Sequence, residues 1–455
     1  MAEKTLIQDL TTGSVAKKLL TFTGPFMLAN LLQTAYNMVD MVVVGNFVGA
    51  TGLAAVSTCG ELLSLCTFIA TGFSTAAQIM IAQYVGKKDH ANLQKVIGTS
   101  FTFLFCLAAV LMAVMLTTVN GQLSLLNLDE AAWADGRSYV RVCYCGMFFI
   151  FGYNLVSAIL RGMGDSRRPL VFIAIAACSN LVLDLVFVAG LGMGVAGSAL
   201  ATVMGQGISF IISLIYLYRH RARFGFDFRL RSFIPDPGNL KNFLRMGIPM
   251  ACQHALIIVS MLVLYSQINQ YGVAATAVTG VGNKLGTIMS VVTNALNMAG
   301  SSMVGQNLAA GKHDRVRSIV RISLLLGCCM AVIMSVLIIL FPTQIFSLFN
   351  DDPDVLALAV TYVGSAVVNF FGYALRAPFN ALVNGLGYAR LSFISGVIDS
   401  VIGRIAFALL LGVVCGFGLQ GFWYGSAIAG YAGFFINGAY YLTGRWKTRS
   451  LLVDQ

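Results

Sequence analysis

Two carboxylates in an otherwise apolar chain carry the strongest chemical signal. Asp40 closes the stretch Gln33-Thr-Ala-Tyr36-Asn37-Met-Val-Asp40, and Asp184 ends Asn180-Leu-Val-Leu-Asp184. At about 100° per residue, Gln33, Tyr36, Asn37 and Asp40 fall within about a third of a helix circumference and form one polar stripe. That stripe must face protein or water, because an ionisable group inside a bilayer is costly and marks an ion or substrate path. Asn180 lies one turn from Asp184 on the same face, and Thr202 on the next apolar run reaches a comparable depth. Two carboxylates, an amide and a hydroxyl suit a cation. Protonation and deprotonation can switch such a pocket between two charge states, and the same oxygens can ligate Na⁺ instead. The structural alternative is that Asp40 and Asp184 only join helix to helix.

The elements that must position these groups are membrane spans. The chain is 58% hydrophobic and 10% charged, against roughly 45–50% and 25% in soluble domains, so an all-α polytopic membrane protein is expected. Residues Met1 to Gly13 lack a short apolar core with a cleavage site, so the first apolar run is read as a retained span. The net charge of +11 sits in short loops between spans, which fits positive-inside topology rather than nucleic acid. The ten cysteines lie mostly within spans without zinc or redox spacing and read as small core residues. Four histidines, two in loops, make an imidazole metal site improbable.

Apolar runs of about 20 residues place twelve spans near 16–44, 52–81, 94–118, 134–160, 168–189, 195–218, 240–268, 274–303, 317–341, 355–384, 390–412 and 417–444. One alternating set of loops holds Lys17, Lys18, Lys87, Lys88, Lys95, Arg161, Arg167, Arg168, the run Arg219 to Arg231, Lys312, Arg315, Arg317, Arg390, Arg445, Lys447 and Arg449. The other holds Arg137 with Asp129, Glu130, Asp135, Asp351, Asp352 and Asp354. Both termini are therefore expected in the cytoplasm. Counted at 1.5 Å per residue from Lys18 and Arg168, Asp40 and Asp184 lie on the order of 33 Å and 24 Å along their helices, in the outer half of the membrane.

A repeat at a spacing of 223 residues relates the halves: Gln83 to Gln306, Leu62 to Leu285, Gly49 to Gly272, and Gly162-Met-Gly164 to Gly385-Leu-Gly387. One residue further out of step, Pro25 matches Pro249. Two pseudo-symmetric six-helix bundles of the same orientation follow, a known transporter design. The expected organisation is an amino-terminal lobe over 1–218, a linker loop over 219–239, a carboxy-terminal lobe over 240–444 and a tail over 445–455.

Further charges inside the spans are Glu61, Lys284, Arg376, Asp399 and Arg404. Glu61 and Lys284 occupy equivalent repeat positions, as a structural pair or a state-dependent lock between lobes. Asp399 and Arg404, five apart, fall on different faces of an α-helix, so each should find a partner elsewhere; Arg376 is a candidate for Asp399. The Gly-x-Gly turns follow no strand and precede no Lys-Ser/Thr, so they are not phosphate loops.

With its Gln33–Gly45 stretch, its Leu160-Arg161-Gly162-Met-Gly164-Asp165 turn, its Asn180–Asp184 segment and its six-plus-six repeat, the whole chain resembles the MATE family of multidrug and toxic compound extrusion antiporters. The resemblance implies a V-shaped pair of lobes that exports amphipathic, often cationic drugs against inward H⁺ or Na⁺. It also implies an amino-terminal coupling network at Tyr139, Asn154, Asn180, Asp184, Thr202 and Asp40; Gln33, Tyr36 and Asn37, the rest of the polar stripe, are expected in the substrate cavity. The family's sodium-linked branch carries acidic residues on the seventh and tenth spans. Here Gln253-His254-Ala-Leu-Ile257 and Tyr373-Ala-Leu-Arg376 stand near those places without a carboxylate.

A secondary active exporter is the leading expectation, in a prokaryotic cytoplasmic membrane, with H⁺ as coupling ion and Na⁺ at Asp40, Asp184, Asn180 and Thr202 as the variant. Pro25 and Gly24 are candidate hinge points. No cofactor, resident metal, nucleic acid or enzymatic activity is expected, and a monomer suffices; small-molecule drugs or organic cations and membrane lipids are the expected partners. The alternative is a lipid-linked precursor flippase of the same superfamily, with Lys284, Arg376 and Arg404 supplying cavity charge.

Overall fold

The computed structural model describes residues 8–126, 128 and 130–454. Asp129, assigned above to an acidic loop, and Met1 to Ile7 lie outside the described residues. The described chain is helical from end to end, in the order the apolar runs predict. Twelve long segments run over Val15–Phe47, Ala50–Lys87, His90–Thr117, Trp133–Gly162, Arg167–Gly190, Gly194–Arg219, Pro237–Ile268, Val273–Ala309, His313–Leu340, Pro353–Leu386, Ala389–Val414 and Gly418–Leu442. They are called spans one to twelve below.

Three spans depart from a straight α-helix. The fourth is two helices, Trp133–Cys145 and Met147–Gly162, bent by 49° at Gly146. There Val203 occupies the space of a side chain, 2.5 Å from where a Cβ would stand. The fifth ends as a π-helix over Leu185–Gly190, and the eleventh is π-helical over Ile398–Phe407 and Leu410–Val414. Such segments are rare and concentrate at functional sites.

The chain packs as two units. The first holds Gln8, Asp9 and Gly24–Ala251; the second holds Leu10–Thr23 and everything from Cys252 onward. The dividing points fall inside the first and seventh spans, beside Pro25 and Pro249. Proline removes one backbone donor and crowds the preceding turn, so each long helix has its soft point there. The loop over 219–239, expected to join the lobes, lies within the first unit. Phe226 stacks edge-on against Phe228 and Phe233, and the Ser232 carbonyl sits where a side chain on Gly98 would go, 1.7 Å from its Cβ position.

Each unit pins its own Gly-x-Gly turn. Gly164 has φ +89° and faces Gln8, whose backbone N–H donates to the Met163 carbonyl at 2.9 Å; Gly387 has φ +73° and faces Leu452. Positive φ with a neighbour at contact distance leaves glycine as the fitting residue. In the second unit Gln306 accepts from the Leu10 N–H at 3.0 Å, and Arg315 donates to the carbonyls of Leu10, Thr12 and Gly13.

Only Cys59, Cys66 and Cys143 of the ten cysteines are buried in a core; six are exposed. That corrects the reading of all ten as core residues. The apolar environment of a span's outer face is lipid, so hydropathy alone does not separate core from exterior.

Candidate functional site

The two acids meet in the first unit. Asp40 lies near the end of the first span and is buried, and Ser198 on the sixth span donates its hydroxyl to Asp40 Oδ1 at 2.7 Å. Asp184, the last α-helical residue of the fifth span, is fully buried within hydrogen-bonding reach of Asp40. Both of its oxygens lack a donor among the described residues. Two ionised carboxylates repel and neither can donate, so hydrogen-bond accounting is incomplete for this pair without a cation. A single proton between them removes the repulsion and supplies the missing donor.

The fifth and sixth spans approach closely because of Gly205. A Cβ there would stand 3.0 Å from the Ala176 carbonyl oxygen and 3.2 Å from Asn180 Cβ. That approach brings the Asn180 amide to Thr202 Oγ1 at 3.4 Å, a long hydrogen bond. Tyr139 is buried, one helical turn before the buried Cys143, and is electrostatically linked to Asp40 and Tyr36. Tyr36 is half-buried, with its hydroxyl in hydrogen-bonding reach of Gln206 and Gln33. Asn37 is exposed on the same helix. Asn154 spends its amide donor on the Ile150 carbonyl, 2.8 Å away and one turn back on its own helix.

Sequence reasoning passed over Ser198 and Gln206. With Thr202 they recur every four residues along the sixth span, the same-face spacing that singled out the stripe around Asp40. Glu61 is exposed on the second span, and the Lys284 ammonium lies 5.1 Å from the Phe349 ring centroid within the second unit. As a pair between lobes these two remain an expectation.

Asp399 and Arg404 require a correction. An α-helix would put them on different faces, but this stretch is π-helical, and i→i+5 closure brings residues five apart together. Arg404 Nη2 lies 3.9 Å from Asp399 Oδ2. Arg376 donates to the same oxygen at 3.1 Å, as the candidate pairing anticipated.

The family model described as MatE matches residues 25–186 and 249–410. A probable multidrug resistance protein of Bacillus subtilis, YpnP, is 28% identical over 98% of this chain and 99% of its own length. A second from that organism, YoeA, is 30% identical over 78% of each chain. Among solved structures, a MOP superfamily transporter from Pyrococcus furiosus superposes with a TM-score of 0.90 at 22% identity, over 99% of this chain and 100% of that one.

Proposed function

Because the chain belongs to the MatE family of multi-pass membrane transporters, we propose that it is a secondary active exporter whose coupling ion is taken up by the Asp40–Asp184 pair. Both relatives from Bacillus subtilis are described as probable multidrug resistance proteins, which supports amphipathic organic compounds, often cationic, as substrates. The proton is the leading coupling ion, with Na⁺ as the variant. We place the protein in the cytoplasmic membrane of a prokaryote with both termini inside, the orientation that the loop charges favour.

The observation that carries the reading is the buried acid pair with two orphan oxygens on Asp184. A monovalent cation entering the pair satisfies it; a cationic substrate nearby competes for the same charge. Binding of one therefore weakens binding of the other, which is the thermodynamic requirement for exchange. Asn180, Thr202, Ser198 and Tyr139 act by holding the two carboxyls in place. Gln33, Tyr36 and Asn37, on the helix that carries Asp40, supply polar contacts to the substrate.

Efflux of ethidium from cells expressing wild type or Asp40→Asn, under imposed pH or Na⁺ gradients, tests this. Gradient-driven efflux that Asp40→Asn abolishes at equal membrane abundance supports it. Absence of gradient-driven efflux in wild type removes the multidrug reading and favours a lipid-linked or narrow metabolite substrate.

A further inference from the structure

The second unit encloses a cavity of about 210 Å³ between spans seven, eight, ten, eleven and twelve. Arg376 and Arg404 both line it, and no acidic residue does. Their shared partner is Asp399, and both guanidinium groups address the same oxygen, Oδ2. Two cations against one carboxylate leave a formal +1 inside the bundle. Guanidinium stays protonated in proteins, so the excess cannot be discharged by losing a proton.

Hydrogen bonding repeats the imbalance. Arg404 is 5% exposed, and its Nε is buried without an acceptor among the described residues. Tyr265, which lines the cavity and is electrostatically linked to Arg404, accepts a hydrogen bond from Asn283 at its hydroxyl oxygen, which leaves its own hydrogen to donate. Of the other hydroxyls lining the cavity, Thr279, Thr287, Ser290 and Ser365 are committed to the carbonyls of Ala275, Asn283, Thr287 and Tyr362 on their own helices, and Tyr362, Tyr373 and Ser426 supply further hydroxyls. The charged donor left without an acceptor among the described residues is thus the Arg404 Nε–H; Asp399 Oδ1 is also buried without a donor but does not line the cavity, so the partner that suits the cavity's surplus is an acceptor with negative charge. Met261, Leu264, Ile268 and Trp423 supply apolar wall around them.

We propose that this cavity is a binding site for an organic monocarboxylate, with Arg404 as its charge partner, Tyr265 as a second donor and Arg376 as the residue that holds Asp399 aside. Guanidinium recognises carboxylate through paired, charge-assisted hydrogen bonds. The apolar wall takes the body of the acid, as polar anchors in an apolar pocket do. The carboxylate arrives as a free small acid or as the acidic end of a zwitterionic transported compound. The site is separate from the acid pair of the first unit and does not depend on which compound that pair exchanges.

The test uses the purified full-length protein in detergent, in sodium sulfate buffer, titrated with sodium benzoate, with sodium chloride, and with the zwitterion 4-(trimethylammonio)butanoate. Tryptophan fluorescence reports occupancy, because Trp423 borders the cavity, and Trp423→Phe identifies its contribution. Saturable binding of benzoate, about tenfold or more tighter than chloride, is expected, with Arg404→Gln weakening it by at least about tenfold and Tyr265→Phe by severalfold. If Arg404→Gln does not yield a monodisperse protein, Arg404→Lys is read instead and weakens benzoate without abolishing it, since the charge persists and the fork is lost. Benzoate binding without the zwitterion points to a free acid; binding of both points to the acidic end of a compound. No saturable response to benzoate in wild type, equal affinity for chloride, or unchanged affinity in both Arg404 variants overturns the proposal. The assay contains no transport step, so its failure and a failure of ethidium efflux are distinct results.

Discussion

Ser198 and Asp40 stand 158 residues apart in sequence and share a 2.7 Å hydrogen bond inside the first unit. That hydrogen bond ties the buried acid of the first span to the sixth. Ser198→Ala leaves Asp40 Oδ1 short of a donor in a buried setting, a loss of about 1–3 kcal/mol. The expected outcome is a lower melting temperature in detergent and slower efflux, with Ser198→Thr retaining more of both. A variant indistinguishable from wild type in both assays would show that the hydroxyl has no part in positioning the acid.

Asp399 is the carboxylate between two guanidinium groups. Removing it strands two cations in the bundle interior, where breaking a buried pair costs about 3–5 kcal/mol. Asp399→Asn should therefore sharply reduce the yield of monodisperse protein. Adding Arg404→Gln removes one stranded charge and should recover part of the loss. A double variant no better than the single one would contradict the pairing. Thermal unfolding of wild type, Asp399→Asn, Arg404→Gln and the double variant supplies the cycle.

Asp89 caps the third span, accepting from the Asn92 backbone N–H at 3.1 Å and from its side-chain amide at 2.7 Å. The backbone hydrogen bond from Asn92, with the side-chain one behind it, holds the Asp89 carboxyl below the usual carboxylate range. Because the folded value is depressed, this contribution is present above the unfolded value of about 3.9 and is lost as pH falls through the folded value. Asp89→Ala should cost about 0.5–2 kcal/mol at neutral pH. That difference should shrink on acidification below about pH 4. Asp89→Asn, also a good cap, should stay near wild type at neutral pH. Melting curves across pH distinguish these outcomes.

Gly98 is where the loop over 219–239 seats on the third span, with the Ser232 carbonyl oxygen 1.7 Å from the place of a Cβ. Backbone cannot yield there as a flexible side chain would. Arg229 and Arg231 already present their side chains to solvent, so Gly98→Val should unseat the loop backbone and speed tryptic cleavage at these residues, between the sixth and seventh spans. A digestion rate identical to wild type would mean that the loop is held by its phenylalanine cluster alone.

The spans, their order and the two acids were legible because hydropathy and a buried charge leave strong marks on composition. What escaped depends on backbone geometry. The juxtaposition of Asp399 and Arg404 needs a π-helical turn, and the bend at Gly146 needs Val203 to fill the place of a side chain; neither has a period to read. The packing division beside Pro25 and Pro249 is half visible in the sequence, since the two prolines match one residue out of step with the repeat, while the long charged loop points to a boundary elsewhere. Ser198 and Gln206 escaped for another reason: the four-residue spacing was there, but serine and glutamine among alanines and glycines carry no charge to draw the eye. Asn154, implied by resemblance, turns its amide donor back onto its own helix.

The most direct measurement of the acid-pair mechanism is proton release when ethidium is added to purified protein in weakly buffered detergent solution. Wild type should release on the order of one proton per substrate bound when the pair begins protonated, and Asp40→Asn and Asp184→Asn should release none. Equal release from wild type and both variants, or substrate binding by wild type with no proton released, would contradict the assignment of Asp40 and Asp184 as the proton-exchanging site.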